Sequence, residues 1–298
     1  MSITYIRKKS DTGQSRIRSV IFQNRDGSEL PVLEFPSLEE TGIVRHFFTT
    51  RMGGVSKGFL STMNLSHTRG DDKACLEENY LRVSEALGTT PDKIVATHQI
   101  HGTKILRVFK EDAGKGITRP KEWDDVDGLI TNEPGLCLAT FFADCVPVMV
   151  VDPVHKAIGS CHSGWRGTVG RIGAVMIEKM HAEFGSRPED LICAIGPSIC
   201  RDCYEVSDDV AEEFRTAFPG REEEILVDKH NGHAQLDLWR ACRIVLEDAG
   251  VPASQISVTD ICTCCNPDLL FSHRASKGKR GNIAGFLMLK ENEDRPEV

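Results

Sequence analysis

Three residues in this chain are of types that together can hold a metal ion: His101 in HQIHG, Cys145 in FADCVPVMVVDP and His162 in CHSGWRG. The last two belong to a predicted pair of short strands, Val146 to Val151 and Ala157 to His162, joined by Asp152-Pro153-Val154-His155. A symmetric hairpin with its midpoint between Pro153 and Val154 sets Cys145 directly across from His162. Cross-strand partners have Cβ atoms about 4.5–5.5 Å apart, close enough for a thiolate and an imidazole to grip one ion. One more imidazole makes a Cys-His-His set with a vacant fourth position, the arrangement of catalytic rather than structural zinc. The spacing of His98 and His101 sends them to opposite faces of an extended segment, and Gly102 allows close backbone approach, which favours His101 at a strand end. Each residue alone has a blander reading. A His in such a segment is more often structural, and a Cys opening an apolar strand is usually an inert buried thiol.

The run Gly164-Trp165-Arg166-Gly167 after His162 is a Gly-flanked turn feeding a helix, where backbone N–H groups can face an anion. Arg166 either joins them or supports the turn. The segment TTRMGGVSKGFLSTMNLS offers Arg51, Ser56 and Asn64 among glycines, although Gly-Gly is most often only a turn and no Walker or Rossmann spacing is present. Cys262, Cys264 and Cys265 stand beside a basic stretch and, with Cys200 and Cys203, offer ligands for a second, structural zinc cluster. Their separation in sequence and lack of ribbon spacing weigh against it. His230-Asn231-Gly232-His233 reads as a turn with exposed histidines. The His-x-Glu…Cys-x-x-Cys motif of zinc nucleobase deaminases is absent.

The elements that must position these residues follow from periodicity. Strands are predicted at Val20–Gln23, His46–Thr50, Ile94–Thr97, Gly128–Thr131, Leu138–Phe142, the hairpin, and Leu191–Gly196. Several are continuous apolar runs, which suits sheets covered on both faces. Helices are predicted over Leu76–Leu87, Gly167–Phe184, a segment capped by Ser207, and Asp237–Ala249. Without strict strand–helix alternation, an α+β layered sandwich of mixed sheets fits better than a doubly wound fold. Residues 1–30 read as a partly mobile leader and 31–298 as a single catalytic domain. The basic N-terminus has no apolar core for a signal peptide, and no apolar stretch approaches the about 20 residues that span a bilayer. A net charge of -8 argues against a nucleic-acid groove but leaves room for a local basic pocket. Eleven cysteines in a chain of this length fit a cytoplasmic protein with reduced thiols.

The stretches HFFTTRMGGVS, NLSHTRGDD, HQIHG, DVDGLIT, FADCVPVMVVDP, CHSGWRG, AIGPSIC with CYEV, and CTCCNPDLLFSHR closely resemble the YfiH/YlmD family, also called the laccase-domain or polyphenol-oxidase family. They keep their order over about residues 44 to 290. The resemblance implies a single domain of two mixed β-sheets flanked by helices, an α/β/β/α sandwich similar to the deamidating-toxin catalytic domain. It places the family's metal triad on His101, Cys145 and His162. It also implies zinc-dependent phosphorolysis of adenosine, inosine and methylthioadenosine, with adenosine deamination. Zinc with an open position activates water at neutral pH, which suits deamination. Phosphorolysis needs an anchored phosphate as well, and Arg51, Asn64 and Arg274 are candidates for phosphate and ribose contacts. Purine nucleosides and inorganic phosphate are then the partners of a monomer, with no nucleic acid or membrane.

A thiol hydrolase or amidase with a Cys145–His162 pair, including one that edits peptidoglycan precursors, uses the same residues without metal. A copper polyphenol oxidase needs many His ligands, and this chain has 10 histidines with one convincing triad, although a Cys/His site also takes copper. A non-catalytic zinc-stabilised binding protein is disfavoured by the open fourth position. The resemblance therefore points to a zinc-dependent purine nucleoside phosphorylase with adenosine deaminase activity.

Overall fold

Runs such as VPVMVV have no polar face because the sheets they build are covered on both sides. The computed structural model describes residues 5–8 and 17–291. Its strands begin with β1 (Arg18–Gln23), β2 (Glu29–Glu34), β3 (Val44–Thr49), β4 (Ile94–Ala96), β5 (Ile105–Arg107), β6 (Gly128–Thr131), β7 (Cys137–Phe142) and β8 (Val146–Asp152). They continue with β9 (Ala157–Ser163), β10 (Ile192–Ile195), β11 (Glu205–Ser207), β12 (Leu226–Asp228), β13 (His233–Leu236), β14 (Ile256–Val258) and β15 (Ile283–Leu289). One sheet has the order β1-β2-β3-β15-β7-β4, a second β14-β10-β8-β9-β6-β5, and a small third β11-β13-β12. Both large sheets are mixed, with β4–β7, β10–β14 and β5–β6 parallel and the other pairs antiparallel.

The large sheets face each other across an apolar layer in which Phe48, Leu138, Phe142 and Leu287 meet Met149, Val151, Ile158 and Ala194. Strand alternation sends Val146, Val148 and Val150 to the opposite face. There the helices Ile172–Phe184 and Leu238–Asp248 cover them with Met176, Met180, Ala241 and Val245. Outside the first sheet, helix Lys73–Ala86 lays Tyr80 and Val83 over Phe47, Ala139 and Phe286. The expected α/β/β/α sandwich in one α+β domain is the architecture observed. Among the described residues, no helix is long and apolar enough to cross a membrane.

Local structure departs from the sequence reading in three places. The hairpin pairs Pro147 with His162 and Val146 with Ser163, so Cys145 precedes the strand and does not lie across from His162. Its turn is displaced by one residue, to 153–156, ending in Lys156 at φ 53°. Asp152 Oδ1 stabilises that displaced turn by accepting the amides of Val154 and His155, each at 2.9 Å. The helix expected over Gly167–Phe184 is two helices, Trp165–Val169 and Ile172–Phe184, separated where Arg171 takes φ 58°. A Cβ on Gly170 at that break would meet Thr103 Cγ2 at 2.6 Å, because the segment after HQIHG passes directly against it.

The third departure concerns the leader expected over residues 1–30. Within it, β1 is an edge strand of the first sheet, and Arg7 Nη1 reaches both carboxylate oxygens of Asp260 at 2.8 and 2.7 Å. Residues 1–4 and 9–16 lie outside the described residues.

Phe48 is fully buried between the sheets, with its ring against Phe35 and Phe142. Phe48→Ala should destabilise the fold by about 3–5 kcal/mol. Urea unfolding should show this as a lower midpoint with an unchanged slope.

Candidate metal centre

Asp127 stands at the mouth of β6 with no solvent exposure, and the site is assembled around its carboxylate. Oδ1 accepts the backbone N–H of His101 at 3.0 Å and faces His162 Nδ1 at 3.0 Å. Oδ2 accepts the amides of Ile100 at 3.0 Å and Gly102 at 2.8 Å. Burial alone would raise this carboxyl's pKa, but the His162 contact and these amides hold it below the usual carboxylate range. Its main-chain carbonyl accepts His162 N–H at 2.8 Å. A carboxylate can only accept, so His162 carries its proton on Nδ1 and turns Nε2 toward the open side.

The HQIHG segment is therefore not a strand end. His101 adopts φ 67°, and the loop bends so that successive amides reach Asp127. His98 points elsewhere, with Nδ1 3.7 Å from Asp124. His101 Nε2 comes within 3.9 Å of Cys145 Sγ, and the two imidazole rings sit 4.8 Å apart at 82°. One ligand atom each from His101, Cys145 and His162 lies within 4.8 Å of the others, so the three predicted ligands do converge. Cys145 arrives from an unexpected direction, because Asp144 before it takes φ 92°. Gly164 must lack a side chain here: a Cβ would meet His101 Cδ2 at 2.7 Å and Cys145 Sγ at 3.4 Å.

Two nitrogens and one sulfur facing an open side fit a zinc-class ion with a position left for substrate. Without an ion, burial would push the Cys145 thiol up, but the neighbouring imidazoles, His162 foremost, outweigh it and bring it down to about 6. Burial likewise opposes charge on His162, yet the thiolate and Asp127 raise it to about 9. Asp127 was not among the residues singled out from the sequence. Its signal is an acidic residue opening a wholly buried strand, in DVDGLIT.

The triad lines a cleft of about 310 Å³ that is also lined by His67, Arg69, Lys121, Phe141 and Arg280. The Nε atoms of Arg69 and Arg280 are buried without a hydrogen-bond partner. Burial, aided by the charge of Arg69, brings the Arg280 guanidinium down to about 10. None of the three phosphate candidates lines this cleft. Arg51 donates to the carbonyls of Ser61 at 3.0 Å and Pro267 at 2.8 Å, with its guanidinium over the Phe271 ring. Asn64 is fully buried and donates to Asp71 Oδ2 at 2.7 Å. Arg274 donates from its side chain to the carbonyls of Cys203 and Glu205, at 3.3 and 3.0 Å. Arg166 stacks on Trp165 at 4.1 Å.

Residues 45–290 match the family described as multi-copper polyphenol oxidoreductase laccase, and the chain belongs to that family. It is 38% identical over 244 residues to purine nucleoside phosphorylase YlmD of Geobacillus stearothermophilus, covering 82% of this chain and 89% of that protein. It is 34% identical over 247 residues to adenosine deaminase RL5 of an unknown prokaryotic organism, covering 83% and 93%. The crystal structure of the Geobacillus YlmD superposes with a TM-score of 0.84 at 34% identity, covering 92% of this chain and 100% of that one. Among the described residues, two groups of side chains have the geometry to share an ion: this mixed His/Cys triad and a group made only of cysteines.

Asp127→Asn removes the carboxylate that orients both histidines. Zinc affinity at the triad should fall about 10- to 100-fold, measured by competition with a chromogenic chelator. In metal-free protein, Cys145 should react with iodoacetamide at neutral pH faster than Cys137, Cys161 and Cys193, whose thiols are pushed up by burial. Its rate should fall as the pH drops through about 6, where the thiolate takes up a proton, and zinc should suppress it.

Proposed function

We propose that this chain is a zinc-dependent purine nucleoside phosphorylase acting on adenosine, inosine and methylthioadenosine, with adenosine deaminase activity. The observation that carries this reading is a metal-ligand triad sharing one cleft with two arginines whose Nε atoms are buried without a hydrogen-bond partner. The names borne by the relatives agree with both activities. A cleft of about 310 Å³ falls within the range of small-molecule sites, near its lower end.

His101, Cys145 and His162 would hold the ion, which supplies a Lewis acid beside the bound nucleoside. The protein's own residues supply the rest. Arg69 and Arg280 offer forked donors and two positive charges to a phosphate dianion, which relieves the cost of their own burial. Lys121 in the same cleft, donating to Thr97 O at 3.1 Å, adds a third charge. In phosphorolysis, a phosphate oxygen bonds to ribose C1′ as the bond from C1′ to the purine nitrogen breaks and its electron pair leaves with the base. Positioning the phosphate against C1′ is the task assigned to the arginines. Arg51, Asn64 and Arg274 do not line the cleft, so the phosphate contact is assigned to Arg69 and Arg280, which do, in preference to them. The eleven cysteines, all free thiols, suit action in the reducing cytoplasm.

A second reading has a specific observation behind it. The metal-free Cys145 and His162 form a thiolate–imidazolium pair, the resting state of a cysteine hydrolase. Chelation separates the two, because such a hydrolase keeps its activity without metal.

Chromatography of adenosine incubated with zinc-loaded protein should show adenine and ribose 1-phosphate only when phosphate is present, and inosine with or without it. Cys145→Ala should abolish all of these products. Arg69→Ala and Arg280→Ala should each raise the KM for phosphate about 10- to 100-fold, as expected for losing a charged hydrogen bond of about 1.5–3 kcal/mol. Deamination should be nearly untouched in both. Adenosine left intact by the zinc-loaded wild type would move the assignment to the thiol hydrolase.

A further inference from the structure

The group made only of cysteines lies away from the cleft. Cys200, Cys203, Cys262 and Cys265 bring their sulfurs within 4.8 Å of one another. Their spacing was underrated in the sequence reading: Ile199-Cys200-x-x-Cys203 and Ile261-Cys262-x-x-Cys265 are two copies of one Ile-Cys-x-x-Cys turn. Topology explains how such distant turns meet. β10 and β14 are parallel neighbours, with Ile195 in register with Val258, and the chains leaving them stay paired as far as Ser198 and Cys262. Each strand therefore delivers its turn to the same edge of the second sheet.

We propose that these four cysteines form a second metal site, a closed tetrathiolate that binds one structural zinc ion. Four sulfurs at tetrahedral corners, each about 2.3 Å from a zinc ion, stand about 3.8 Å apart. The observed spread suits that arrangement, with Cys203 and Cys265 Sγ at 3.4 Å. It is too tight for the corners of a polynuclear iron–sulfur cluster, whose cysteine sulfurs surround several metal atoms. Two backbone amides aim at one sulfur: Cys200 N–H and Cys265 N–H reach Cys262 Sγ at 3.2 and 3.4 Å. Such amides stabilise a ligating thiolate as second-shell partners do. Cys262 and Cys200 are buried, so closure by four protein ligands leaves no reactive position. Cys264 lies outside the quartet, although it sits between two of its members.

Zinc uptake releases the remaining cysteine protons to solvent and leaves a centre with two net negative charges. Lys8 stands near enough to Cys200 and Cys265 to feel their charge, and it also pairs with Asp202 at 3.0 Å inside the first turn. Both turns grip the residue before the catalytic cysteine. Thr263 Oγ1 donates to Asp144 Oδ1 at 2.6 Å, and Ile199 N–H donates to Asp144 O at 3.0 Å. The structural ion would thus be a staple that fixes the approach of Cys145. This inference does not depend on which reaction the cleft performs.

Full-length protein purified under reducing conditions with zinc supplied should carry two zinc ions per chain by plasma mass spectrometry. One should remain in Cys145→Ala, and one in the double variant Cys203→Ser/Cys265→Ser. Cobalt substitution reads the site without relying on the double variant to fold. Sulfur-to-cobalt charge-transfer absorption grows with the number of thiolates, so Cys145→Ala should keep most of the wild-type intensity. A wild type that binds a single ion, lost completely in Cys145→Ala, would overturn the proposal. So would a Cys203–Cys265 disulfide found by peptide mapping of protein prepared anaerobically without added oxidant.

Discussion

One buried carboxylate holds the candidate metal centre in place. Asp127 has no contact with solvent, so its charge persists only because both oxygens are occupied by N–H groups. Gathering three successive amides onto it forces His101 to φ 67°, a conformation that costs a non-glycine residue about 1–2 kcal/mol. Hydrogen bonds to a charged group contribute about 1.5–3 kcal/mol each, so the strained loop is the more stable arrangement. The same carboxylate selects the tautomer of His162. Because β6 pairs with β9, with Gly128 opposite Cys161, two ligands distant in sequence are tied to one rigid sheet through one side chain.

The remaining ligand is placed by a similar device. Asp144 is nearly buried, takes φ 92°, and accepts Thr263 Oγ1 on one oxygen and the Arg274 amide, at 2.7 Å, on the other. That turn swings Cys145 back over the end of β8 toward His101. Cys145 therefore depends on segments more than a hundred residues downstream, which sequence distance conceals. Arg274 belongs to the CTCCNPDLLFSHR stretch that resembles the family, yet its backbone supports the cysteine while its side chain reaches carbonyls away from the cleft.

The layered fold was legible because alternation and apolar runs report burial directly: Val148 and Met149 had to face opposite apolar layers, and they do. The triad was legible from residue types. Its geometry was not, because the hairpin register depended on a turn displaced by one residue, with Lys156 at φ 53°. β15, the strand between β3 and β7, was missed although it is buried throughout, since IAGFLML follows a basic, glycine-containing stretch and carries a glycine of its own. Asp127 was missed for a different reason. A carboxylate acting through backbone amides leaves no spacing motif, because the amides belong to every residue type. The arginines of the cleft were hidden likewise, since only tertiary structure shows that Arg69 and Arg280, far apart in sequence, converge.

The cleft is lined by two chemically different sets of groups. The chain carries a net charge of -8, yet Arg69, Lys121 and Arg280 line the same cleft as Cys145. Burial and the nearby charge of Arg69 both disfavour the charge on Arg280 in the empty cleft, and Asp144 and Cys145 offset only part of that cost. Both acids already serve elsewhere: Asp144 holds the backbone that presents Cys145, and Cys145 is a metal ligand in waiting. Neither can turn toward the arginines without dismantling the triad. Under the proposed function that charge is met by a phosphate dianion, whose oxygens suit forked guanidinium donors. A soft thiolate-and-imidazole triad has the opposite preference, for a cation. One cleft thus presents both kinds of group, which is what the proposed metal-dependent phosphorolysis requires.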